Sequence, residues 1–66
     1  AVEPAVEPLI DALDEAFAYA RSNACWALGY LAAEDALERL REIRETDENE
    51  EVRQASSIAI DEIESR

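Results

Sequence analysis

Apolar positions along the chain recur every three to four residues, the period of a helix with one buried face. Four such stretches follow one another. Leu9, Ile10 and Leu13 give the stripe of the first, about Val6 to Leu13. Pro8 has no N–H to donate and fits only a first turn, so this helix begins near Ala5 and leaves Ala1–Pro4 outside it. Asp14–Phe17 reads as a short turn. The second stretch, about Ala18 to Leu31, places Ala20, Ala24, Ala27, Leu28 and Leu31 at offsets 0, 4, 7, 8 and 11, one helical face whose small residues permit close helix packing. Gly29 is expected to loosen its last turn, and Ala32–Ala33 to bend the chain. The third stretch, about Asp35 to Glu45, carries Ala36, Leu37, Leu40 and Ile43, with Asp35 and Arg39 in the favourable i,i+4 order. Thr46–Asn49 reads as a turn with Asp47 or Asn49 available as N-cap. The fourth stretch, about Glu50 to Glu64, repeats the offsets of the second with Val52, Ser56, Ala59, Ile60 and Ile63.

That repetition is an internal duplication. Residues 20–31 align without a gap on residues 52–63 at a shift of 32, matching Arg21 with Arg53, Ala27 with Ala59, Leu28 with Ile60 and Leu31 with Ile63. Ala5–Leu9 aligns on Ala36–Leu40 at a shift of 31. Two helix–turn–helix units follow, about residues 5–33 and 34–66, within one domain spanning 1–66.

The motifs themselves, "AVEPLIDAL", an acidic turn and "ARSNACWALGYL", then "ALERLREI" and "TDENEEVRQASSIAI", resemble the short HEAT-like repeats first named for phycobilisome lyases. The resemblance covers nearly the whole chain. It implies an all-α fold, an α-solenoid of two helical hairpins, with the second helix of each lining the concave surface. It also implies that Arg21 and Arg53 belong to an internal ladder with turn acids, here Asp14 and Asp47. The second copy departs from the pattern at Ser56, Ser57 and Asp61, which indicates a capping repeat whose last helix faces water on one side. Since repeats bury their apolar faces against neighbours, two units point either to self-association, a homo-oligomer, or to a fragment of a longer array.

Charge changes the picture next. Seventeen acids against six arginines give −11 at pH 7, and there is no lysine. Such a chain repels nucleic-acid phosphates. The acid excess has two readings: a surface for a basic partner, or adaptation to high salt, where screening reaches about 3 Å at 1 M. The acids run from Glu3 to Glu64, and a partner patch would not need to cover every segment, which favours salt adaptation; abundant acid and arginine without lysine resembles haloarchaeal composition.

Chemistry is sparse. Without histidine there is no Ser–His or Cys–His pair and no histidine-based metal site. Cys25 is the single cysteine, so no internal disulfide can form, and it reads as a small buried thiol. The acids at 47, 48, 50 and 51 lack the alternating ligands and central Gly of a calcium loop. No catalytic residue, cofactor or metal is expected. No apolar run reaches the length of a membrane span and no leader is visible, so a cytoplasmic protein without membrane contact is expected.

One constellation remains. Tyr19, Asn23, Trp26 and Tyr30 lie at offsets 0, 4, 7 and 11, opposite the Ala/Leu face, and the matching positions of the fourth helix are Glu51, Ala55, Ile58 and Glu62. An aromatic stripe with an apolar neighbour, Ile58, and an acidic border, Glu51 and Glu62, suits a protein-binding face whose partner has a basic edge. The expected function is therefore an interaction module; the alternative is a non-catalytic part of a lyase-like or other HEAT-containing enzyme.

Overall fold

The computed structural model describes residues 4–66. It contains α1 (Val6–Ala12), α2 (Ala18–Tyr30), a 3-10 turn (Glu34–Ala36), α3 (Leu37–Thr46) and α4 (Glu50–Glu64), with no strand among the described residues. The start of α1 at Val6 agrees with the limit set by Pro8; the position of Ala1–Glu3 lies outside the described residues.

α1 packs on α2 and α3 on α4, and the most extensive contact joins α2 to α4. The start of α2 is tied to the turn before α4 through Arg21 and Asp47, while Gly29 near its end lies against Ala59 and Glu62 near the end of α4. The two second helices therefore run side by side in the same direction. α1 meets the second hairpin through the 3-10 turn.

The core between the hairpins is built from Val6, Leu13, Ala24, Cys25, Leu28, Ala36, Leu40, Ile43, Val52, Ala59, Ile60 and Ile63, all buried. On α4 every position of the predicted stripe is buried, including Ser56. The Ser56 hydroxyl donates to the Arg53 carbonyl at 2.7 Å, which is how a polar residue sits there without an unmet hydrogen bond. Of the three departures in the second copy, only Ser57 and Asp61 thus face outward, Ser57 partly and Asp61 fully.

On α2 the buried face is displaced from the predicted one. Ala24 and Leu28 are buried as expected, but Ala20, Ala27 and Leu31 are half-buried, and Cys25 and Gly29 take their place. Gly29 does not loosen the helix. A Cβ there would stand 3.0 Å from Ala59 Cα, 3.1 Å from Ala59 Cβ and 2.6 Å from Glu62 Oε1, so its missing side chain is what lets α4 approach.

The bend after α2 is a Schellman motif. Ala33 N–H donates to Leu28 O and Ala32 N–H to Gly29 O, both at 3.1 Å. Ala32 occupies the left-handed position at φ 53, usually given to Gly, and buried Ala33 supplies the apolar contact back to the helix. The following 3-10 turn explains why Asp35 does not support Arg39: it precedes α3 and lies outside the i,i+4 register. Arg39 instead pairs with Asp14 of the first hairpin and with Glu42.

Candidate protein-binding face

The turns are stitched together by arginine. Arg21 Nε donates to Asp47 Oδ2 at 2.8 Å and Nη2 to Oδ1 at 3.1 Å, while Nη1 donates to the carbonyls of Glu15 and Ala16, both at 2.9 Å. A single guanidinium thus closes its own turn and clamps the next. Arg53 Nη1 donates to the Asp47 carbonyl at 2.6 Å, the equivalent own-turn bond of the second hairpin. The expected ladder holds at Asp47 but not at Asp14, whose carboxylate pairs with Arg39 of α3. Of the two turn residues available as N-cap, Asn49 fills the role. Asn49 caps α4 by accepting from Val52 N–H at 3.0 Å, and Asp47 Oδ1 accepts from Asn49 N–H at 2.9 Å.

Electrostatics follow from this geometry. Burial alone would raise the Asp47 pKa, but the Arg21 bonds, the Asn49 N–H and the Arg53 charge together hold it below the ordinary carboxylate value. The Asp47 hydrogen bond outweighs burial and raises Arg21. Cys25 is fully buried, and burial, reinforced by the Asp47 charge, pushes its thiol up to about 11, which leaves it a packing residue and a poor nucleophile. A polar cleft of about 470 Å³ opens at this turn end, lined by Asp14, Glu15, Arg21, Arg39, Asp47 and Glu48, but both of its arginines are already held by carboxylates.

The aromatic stripe lies on the opposite side of α2 from its buried face. Tyr19 is 69% exposed, Trp26 45% and Tyr30 79%, and Asn23 is exposed with them. The second-helix partners on α4 divide. Glu51 and Ile58 are exposed and Glu62 is half-buried, so all three reach the surface. Ala55, the counterpart of Asn23, is buried at 1%, because α2 covers that flank of α4. The structure adds one residue. Phe17, read as part of a turn, is 65% exposed, and its ring centroid lies 5.9 Å from that of Tyr19. A large apolar residue beside acidic turn positions was its only sequence signal.

Against known proteins, the family model described as HEAT repeats matches residues 6–66. Neither the curated proteins nor the solved structures yielded a match. Repeats of this family generally mediate protein–protein interaction. With a match over nearly all of its length, and two copies of one helical hairpin joined side by side, the chain belongs to the HEAT-repeat family.

Proposed function

We propose that this domain is a non-catalytic interaction module that binds a protein partner on the face lined by α2 and α4. The observation that carries this reading is the exposure of three large aromatics, Tyr19, Trp26 and Tyr30, on one stripe that folding does not bury. Water-exposed aromatics in a row cost solubility, and an anchoring cluster is a physical reason to keep them. Ile58 extends the apolar surface onto α4, and Glu51 and Glu62 border it with negative charge, which steers a partner with a basic edge and repels nucleic acid.

The test pairs two measurements on Trp26→Ala. A partner is captured at high salt, identified and purified, and its affinity for both proteins is measured by calorimetry alongside thermal melting. The expected outcome is a loss of about 2 kcal/mol or more in binding, the scale of an aromatic anchor, with a much smaller change in stability. If Trp26→Ala unfolds the domain while affinity per folded molecule is unchanged, Trp26 is a core residue and the binding face lies elsewhere.

A further inference from the structure

The charge on the α2/α4 face is more ordered than its composition. Each of these helices carries one cation, Arg21 on α2 and Arg53 on α4. Both are partly buried and drawn down to Asp47 in the turn. The outward face is left with no cation. It keeps Glu51 at the start of α4 and Glu62 near its end. The 32-residue shift makes Glu51 the α4 equivalent of Tyr19 and Glu62 that of Tyr30, on two helices that pack side by side. At the second end Glu62 reaches across to α2, its Oε1 2.6 Å from where a Cβ on Gly29 would stand, one residue before Tyr30 in the sequence. Between the two ends stand Trp26 and Ile58, both exposed and apolar.

An exposed tyrosine on one helix and an unpaired carboxylate at the equivalent position of its neighbour can together receive a guanidinium or ammonium group: the ring face attracts the cation and the carboxylate accepts its hydrogen bonds. Neither Glu51 nor Glu62 is engaged in a salt bridge among the described residues. We propose that the partner presents two cations, one for the Tyr19/Glu51 end and one for the Tyr30/Glu62 end, with an apolar side chain between them for Trp26 and Ile58. Eleven residues separate Tyr19 from Tyr30, so the two cations stand roughly 16 Å apart. That distance is met by arginines or lysines about eleven residues apart on a helix, or about five apart on an extended segment. This inference rests on the proposed use of the face and adds the chemistry and spacing of what fills it.

Trp26 is the only tryptophan, so its emission reports occupancy directly. The probes are an alanine-based helical peptide with Arg at positions eleven apart and Leu midway, an extended proline-containing peptide with Arg five apart, and versions of each with Gln for Arg or with both Arg crowded into adjacent positions. Titrations run in 0.15 M KCl, with folding checked by circular dichroism, and with the peptides also labelled for anisotropy. One spaced basic peptide is expected to shift Trp26 emission. Gln for either Arg should weaken it about five- to tenfold, and Glu51→Gln and Glu62→Gln about two- to fivefold each. Equal binding of the Gln peptide or of the crowded-Arg peptide, lost in Trp26→Ala, overturns the two-cation assignment and leaves the face as a protein-binding surface. Binding that persists unchanged in Trp26→Ala overturns both. No binding of either spaced peptide overturns the inference by itself.

Discussion

Asp47 stands in the turn of the second hairpin, yet both of its carboxylate oxygens are taken by Arg21 of the first, at 2.8 and 3.1 Å. The two side chains are 12% and 8% exposed, so water competes little for the pair. Removing one partner leaves the other partly buried and unmatched, which costs more than the pair contributes over apolar substitutes. The contact lies between the repeats, and its loss acts on their docking.

Asp47→Asn is therefore expected to destabilise the domain by about 2–3 kcal/mol near neutral pH, measured by denaturant unfolding. The pH dependence separates charge from packing. The folded Asp47 pKa is lowered, so its contribution is fully present above the unfolded value of about 3.9 and is lost as pH falls through the folded value. The stability gap between the wild type and Asp47→Asn should hold constant above pH ~5 and narrow below ~4. A gap that stays constant into strong acid would show that the charge contributes nothing.

Gly29→Ala tests the close approach of the helices. On helix propensity alone the change should stabilise by about 1 kcal/mol. Glu62 can swing its carboxylate aside, but the Ala59 backbone, 3.0 Å from the new Cβ, cannot move without separating α4 from α2. A net loss of about 1–2 kcal/mol is expected. A more stable variant would mean that the contact relaxes freely.

Ala32→Gly should act in the opposite direction. Ala32 holds φ 53, a conformation costing an L-residue roughly 1–2 kcal/mol, part of which is returned as extra freedom in the unfolded chain when Gly is placed there. The expected gain is about 0.5–1 kcal/mol, seen as a rise in the denaturation midpoint with an unchanged slope. A loss of stability would contradict the Schellman geometry.

Salt should stabilise. At −11 over 66 residues, repulsion among seventeen acids exceeds what six arginines offset, and screening relieves it. Exposed pairs such as Arg41–Glu64 weaken in salt too, but each is worth little. The melting temperature is expected to climb steadily from millimolar to molar KCl. A flat or falling curve would remove salt adaptation as the reason for the acid excess.

The order of the four helices, the boundaries of α4, the duplication at a shift of 32 and the aromatic stripe on α2 were legible in the sequence, because each rests on periodicity or on a cap within a few residues of itself. Phe17, the role of Gly29 and the partner of Arg39 were not, since each depends on which element lies across from it. The two second helices show the limit most directly. Their stripes have the same phase in the sequence, yet α4 buries Val52, Ala55, Ala59 and Ile63, whereas the matching Ala20, Asn23, Ala27 and Leu31 of α2 are partly or fully exposed. α2 buries Cys25 and Gly29 instead, while their counterparts Ser57 and Asp61 reach the surface. The reason is one of sides. α4 has α2 on its Ala55/Ala59 flank, and α2 has α4 on its Cys25/Gly29 flank. Periodicity specifies that a helix has an apolar face, but the neighbour it docks against decides which part of that face leaves water.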